Sequence, residues 1–145
     1  ASRGIVGTVM NIELHLAWTL VGKQREPLNP ELILLLDGIA TGGNLRYAAR
    51  VARLSYRHAW GVIKYWEQYF GHTLVSLVRG RGAVLTDAGE ALRTTWHKTN
   101  ERAAAALEDA AAFAKRGLES LTRQQDEGAL TIVASHGVGI TTLAD

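Results

Sequence analysis

Residue types that could do covalent or metal chemistry are few in this sequence. There is no cysteine, which removes thiolate nucleophiles, disulfides and thiolate metal sites. Neither a Gly-x-Ser-x-Gly elbow nor a Gly-rich phosphate loop ending in Lys-Ser/Thr occurs. His97 and Glu101 stand four residues apart, a spacing that puts two side chains on one helix face where they could share a metal ion. They lack a second pair nearby, and His15, His58, His72 and His136 are scattered along the chain. The two therefore read as solvated side chains, and the chain reads as a protein that is not an enzyme and carries no metal or cofactor of its own.

A different chemistry is concentrated in the basic residues. Between Asn44 and Gly82 stand seven cations (Arg46, Arg50, Arg53, Arg57, Lys64, Arg79 and Arg81) and a single acid, Glu67. That stretch carries +6 in a chain whose net charge is +2, so the remainder carries −4. A local positive field of this kind either faces a polyanion, with double-stranded DNA the natural partner, or is an ordinary solvated surface.

The elements that would position these cations can be read from patterning. Apolar residues make up 47% of the chain and charged residues 21%, enough for a packed core. No apolar run approaches the roughly 18 residues a membrane span needs, and the first residues lack the order of a signal peptide. A cytoplasmic protein without a membrane partner is the expectation. The sequence does not open with Met and reads as a piece of something longer.

From Met10 to Trp18, Ile12, Leu14, Leu16 and Trp18 alternate with Asn11, Glu13, His15 and Ala17, a two-residue period that predicts a half-buried strand. The charged stretch from Gly22 to Pro30, with both prolines, predicts a loop that ends at a helix start. Asn29 as cap and Pro30 at the first position begin a helix whose Leu32, Leu35, Leu36 and Ile39 form an apolar stripe, stopped by Gly42 and Gly43. Asn44 caps a short second helix, Leu45 to about Ala52, with Leu45, Ala48, Ala49 and Ala52 inward. Leu54 and Ser55 form the turn, and Ser55 caps a third helix from Tyr56 to about Phe70. There Ala59, Ile63, Trp66 and Phe70 face inward, Tyr56, Arg57, Gly61, Lys64 and Gln68 face outward, and Trp60 can go either way.

Leu74–Val78 and Ala83–Leu85 predict a hairpin with a basic, glycine-rich tip, Arg79 to Gly82. Thr86 or Asp87 then caps a long helix that continues to about Gln125, with Glu90 in capping-box range of Asp87. One stripe along it joins Leu92, Trp96, Thr99, Ala103, Ala106, Ala110 and Phe113. A second runs through Leu107, Ala111, Ala114, Leu118 and Leu121. Such stripes call for a partner helix and so for a homodimer through Leu92, Trp96, Ala103, Ala106, Leu107, Ala110 and Phe113; the alternative is a solvated alanine-rich spacer. Gly128 begins a new unit with a buried strand at Ala129–Ala134.

The order strand, helix, helix, turn, helix, hairpin is that of a winged helix-turn-helix: a mainly α fold with a small β part, followed by a long linker helix. In such an arrangement the third helix enters the major groove, which is about 12 Å wide. Arg57 is placed to contact a guanine edge, Tyr56 and Lys64 lie on the same face, and Gly61 either permits close approach or is a defect in the helix. Arg46 and Ser55, at helix starts, suit phosphates. Arg79 and Arg81 either reach flanking DNA or make the hairpin tip soluble.

The same residues resemble known regulators. Gly43, Asn44 and Leu45 with Ala48 and Ala49, then Leu54, Ser55, Ala59, Ile63, Trp66 and Glu67, are similar to the helix-turn-helix of LysR-type regulators. The run Leu85-Thr86-Asp87-Ala88-Gly89-Glu90 resembles the stretch joining wing to linker helix in that family. Ser55 to Trp60, the wing end Ala83 to Thr86 and the preceding strand Met10–Val21 resemble still more the N-terminal domain of ModE-type, molybdate-responsive regulators. Leu77 stands where the LysR-type wing usually has Arg, so that contact does not carry over. Leu130–Gly137 resembles the first strand and anion-binding turn of a periplasmic-binding-protein-like domain, and the resemblance implies Ser135 as an effector residue for an oxyanion such as molybdate or tungstate in a longer protein.

The organisation expected is a disordered or extraneous segment at 1–9, a winged helix-turn-helix at 10–86, a dimerising linker helix at 87–126 and the start of an effector domain at 127–145. The function expected is a homodimeric transcription regulator reading a palindromic operator. The alternative is a winged helix used for protein–protein contact.

Overall fold

A computed structural model describes residues 10–128, with side chains described as far as residue 123. Residues 1–9, the expected strand Ala129–Ala134 and Ser135 lie outside the described residues. The chain is mainly helical, with four helices and two two-stranded antiparallel sheets among the described residues. It divides into two units, one of residues 16–103 and one in which residues 10–15 join those from 104 onward.

The first strand is displaced from its expected position. Residues 10–18 form no ladder; the strand is Thr19–Val21 (β1), paired antiparallel with Arg25–Pro27 (β2), Leu20 opposite Glu26. The segment 22–30, expected to be a loop, thus holds half of a hairpin. The two-residue period is largely an alternation of burial: Ile12, Leu16 and Trp18 are half-buried, and Asn11, Glu13, His15 and Ala17 are exposed, but Leu14, expected on the buried side, is exposed as well. Extended backbone shows that period whether or not another strand pairs with it. Pro27 closes β2 at a sheet edge, where its missing amide hydrogen is harmless, and the Leu28 amide donates to the Trp18 carbonyl at 2.9 Å.

Helix α1 is Pro30–Gly42, with Pro30 in the first turn as expected. Asn29 sits at the cap position, but its side chain caps nothing; its Oδ1 accepts a hydrogen bond from the Trp66 indole at 3.1 Å. Tethering a fully buried tryptophan takes precedence over a helix end whose first amide position is already a proline. Leu32, Leu35, Leu36 and Ile39 are buried, and Gly38 lets the next helix approach so closely that a Cβ there would lie 2.7 Å from Ala48. Helix α2, Leu45–Val51, follows once Gly43 has turned the chain at φ 72°. Asn44 caps α2 through Oδ1, which accepts from the Tyr47 amide at 2.7 Å. At its other end the Leu54 amide donates to the Ala49 carbonyl (2.9 Å) and the Arg53 amide to that of Arg50 (3.1 Å). This is the paired closure of a Schellman motif, with Arg53 at φ 60° where glycine is usual.

Helix α3, Tyr56–Phe70, is capped by Ser55, whose Oγ accepts from the His58 amide at 3.0 Å. Ala59, Val62, Ile63 and Trp66 form its buried face; Trp60 is half-buried and packs on the core. Strands β3 (Val75–Val78) and β4 (Gly82–Leu85) form the hairpin, Val75 opposite Leu85. Glu67 anchors its first strand, because Oε2 accepts from the amides of Leu74 (2.8 Å) and Val75 (3.2 Å). The Ala83 amide donates to the Gly43 carbonyl at 3.2 Å, which ties β4 to the turn between α1 and α2.

Helix α4 runs Asp87–Gly128, to the glycine that was expected to open a new unit. Thr86 is its cap, accepting from the Gly89 amide at 3.1 Å. Glu90 does not close a capping box and instead accepts from Arg93 (3.0 Å) and Thr94 (3.1 Å). Leu92 and Trp96, read as part of a dimer seam, pack against the core of their own chain, with the rings of Trp18 and Trp96 centred 5.0 Å apart. Arg93 and His97 both reach Asp37 of α1, at 2.7 and 2.9 Å, so His97 faces a carboxylate on another helix and not Glu101. In the other unit, Lys115 donates to Asn11 at 3.2 Å, and Phe113 is 72% exposed. No described helix is long and apolar enough to cross a membrane.

Candidate functional site

The expected contact residues, Arg46, Ser55, Tyr56, Arg57, Gly61, Lys64, Arg79 and Arg81, are all exposed and all belong to the unit of residues 16–103. Helix α3 carries four of them, Tyr56, Arg57, Gly61 and Lys64, and its turn explains the last three. Its buried face is fixed by Ala59, Ile63 and Trp66, so at 3.6 residues per turn Arg57, Gly61, Lys64 and Gln68 must point the other way. Among the described residues, nothing beyond its own stretch of helix comes within 4 Å of a Cβ built on Gly61, so no packing between them requires glycine there.

Other elements continue this surface. The Arg46 guanidinium lies 5.0 Å from the centre of the Tyr56 ring, joining the start of α2 to the start of α3. On the hairpin side, a Cβ at Gly82 would lie 2.7 Å from the Gly43 carbonyl oxygen and 3.9 Å from the Asn44 side chain, so the base of the basic turn rests on the start of α2. The turn itself closes through the Arg81 amide to the Val78 carbonyl (2.9 Å), with Gly80 and Gly82 at φ 81° and 82°. The hairpin therefore meets the residues that begin α2, and the start of α2 meets the start of α3 through Arg46 and Tyr56.

Electrostatics separates Lys64 from the arginines. Lys64 is paired with Glu67 at 3.3 Å, and its ammonium lies 5.1 Å from the Trp60 ring centre. Glu67 in turn holds the two amides that begin β3, so part of the Lys64 charge is spent inside the chain. Arg46, Arg50, Arg53, Arg57, Arg79 and Arg81 form no ion pair among the described residues. Each can offer its planar fork of donors to a phosphate or a guanine edge. The Ser55 hydroxyl, although it accepts from its own helix, still has a proton to donate.

Two groups of residues were not singled out from the sequence. A concavity of about 290 Å³ beside Gly61 is lined by Glu26, Asn29, His58, Gly61, Val62, Tyr65 and Trp66. Hydrogen bonding to Glu26, helped by its charge, raises the Tyr65 phenol above its ordinary pKa. The position of Tyr65, four residues after Gly61, was available on the helix wheel; that of Glu26 was hidden by the misplaced strand. The second group, Asp37 with Arg93 and His97, joins residues 56 and 60 positions apart, which no local pattern signals. No three residues of metal-ligating type gather among the described residues. No protein-family model matches the chain, and no curated protein matches it significantly.

Proposed function

We propose that the chain is a winged helix-turn-helix, with α3 as the recognition helix and β3–β4 as the wing, and that it reads double-stranded DNA as a homodimeric transcription regulator. The observation that carries this reading is the set of exposed arginines, Arg46, Arg57, Arg79 and Arg81, which form no ion pair among the described residues. Exposed arginines without acidic partners, on a chain that is elsewhere net negative, gain most from a polyanion. Arg57 and Tyr56, at the N-terminal end of α3, take the place from which recognition helices contact base edges, and Gly61 removes the side chain that would hold the helix back. Arg46, Ser55, Arg79 and Arg81 serve the backbone, and Lys64, shared with Glu67, contributes less than an unpaired lysine would. Two copies related by a two-fold axis would read a palindromic site.

Titration of a randomised duplex library followed by sequencing of the retained fraction, repeated at two salt concentrations, tests the proposal. Enrichment of a palindromic sequence and steeply weaker binding at high salt are expected. Absence of binding to every duplex would sink it.

A second reading has its own observation. Leu77 is 67% exposed on β3, next to the exposed Val78, and an apolar wing strand suits contact with another protein. That winged-helix interaction module would bind its partner with little dependence on salt.

A further inference from the structure

Helix α3 has two flanks, and a hairpin lies on each. At 3.6 residues per turn, Glu67 falls on one side of the outward row Arg57, Gly61, Lys64 and Gln68, and Tyr65 and Tyr69 fall on the other. The β3–β4 hairpin is held to the first side through the Glu67 carboxylate. The β1–β2 hairpin is held to the second. Glu26 of β2 accepts a hydrogen bond from the Tyr65 phenol, and a Cβ placed on Gly22 would lie 3.8 Å from the Tyr69 hydroxyl. Glu26 and Asn29 also share with His58 and Gly61 the concavity beside α3. Each hairpin turn carries two cations, Arg79 and Arg81 in one, Lys23 and Arg25 in the other. Lys23 and Arg25 are exposed and form no ion pair among the described residues. Glu26 does not neutralise them. The register sets it opposite Leu20, which packs on the core, so the half-buried Glu26 turns inward and Arg25, its neighbour, takes the other side of the ladder.

We infer that β1–β2 is a second wing, whose Lys23 and Arg25 contact the DNA backbone on the side of α3 opposite to Arg79 and Arg81. The inference deepens the DNA reading of the proposed function and rests on it. An α-helix with its side chains is about 10–12 Å across and the major groove about 12 Å wide, so α3 fills the groove. Elements packed on its flanks then meet the sugar-phosphate strands that wall the groove, and not the bases. Cations gain most at such walls, and they fix orientation without reading sequence. Two hairpins with basic turns, one on each flank, would hold α3 from both sides. Lys23 and Arg25 lie outside the basic stretch between Asn44 and Gly82, and the loop expected at 22–30 gave no reason to place them beside α3.

Three full-length variants test it on the duplex that the unaltered chain selects. K23Q/R25Q should melt as the unaltered chain does and prefer the same sequence. Its slope of log affinity against log salt should be shallower by about 2 to 4, since two chains give up about four phosphate contacts. K98Q/R102Q removes the same charge from exposed positions on α4 and should leave the slope within about one of its original value. A change below about 2 in K23Q/R25Q, an equal change in K98Q/R102Q, or a different preferred sequence overturns the second wing. The third variant keeps both cations. The chain has no cysteine, so Q24C can carry an iron–EDTA group on the hairpin turn alone. Cleavage of the bound duplex at a fixed position in each half-site is expected, and an uncut duplex on which the labelled chain is bound overturns the inference. Failure of the unaltered chain to bind any duplex removes the proposed function as well, whereas binding with an unshifted slope in K23Q/R25Q removes the second wing and leaves the reading of α3 standing.

Discussion

Arg57 and Gly61 are the residues at which the proposed reading surface of α3 is tested most directly. Arg57→Ala should cost roughly 1–3 kcal/mol of binding to the selected duplex and much less to random DNA, as a bidentate guanine contact requires. Equal losses on both, measured by parallel titrations, would reassign Arg57 to phosphate. Gly61→Ala should raise the stability of the free protein by up to about 1 kcal/mol in denaturant melts, because the helix gains a better former and no neighbour is struck. The same change should weaken DNA binding by holding α3 away from the groove. Tyr65 makes a separate prediction: its phenol should ionise above the ordinary value near 10, and Glu26→Gln should bring it down, followed by phenolate absorbance. A raised folded-state pKa gives a contribution that is present below the ordinary value and is lost as pH rises through the folded one, so any destabilisation by Glu26→Gln through Tyr65 should be seen at neutral pH and fade in alkaline solution.

At the scale of elements, α1 and α2 cross at Gly38 so closely that no side chain fits there. Gly38→Ala should destabilise the unit by about 1–3 kcal/mol, since the new methyl falls on the backbone and side chain of Ala48 and neither helix can yield without disturbing the buried leucines of α1. Unchanged melting would show that α1 can shift. The three consecutive helices and the hairpin were legible in the sequence because each is punctuated by residues with a local mechanism: Asn44 and Ser55 as caps, Gly43 and Gly71 as left-handed stops. The first strand was not legible, because alternation specifies which side is buried and not which residues hydrogen-bond. The Asn29 cap was misread for a related reason: its oxygen has two possible donors, and the winning one, Trp66, is 37 residues away. Of the candidate site, the outward face of α3 followed from periodicity alone. The pairing of Lys64 with Glu67 and the seating of Leu92 and Trp96 depend on tertiary contacts that periodicity does not encode.

For the molecule as a whole, the proposed dimer would neutralise on the order of 6–10 phosphates, so the slope of log affinity against log salt should lie near −5 to −9. A slope close to zero in fluorescence titrations would favour the interaction module with its exposed Leu77. The four tryptophans determine what such titrations can see. Trp66 is fully buried against Asn29, and Trp18 and Trp96 lie ring to ring, so three indoles are committed to the interior or its edge. Trp60 shares α3 with Trp66, but it is half-buried and stands beside the Lys64 ammonium. If α3 enters DNA as proposed, Trp60 is the indole beside the bound duplex, and replacing it with Phe should remove most of the emission change on DNA addition while the other three still report folding.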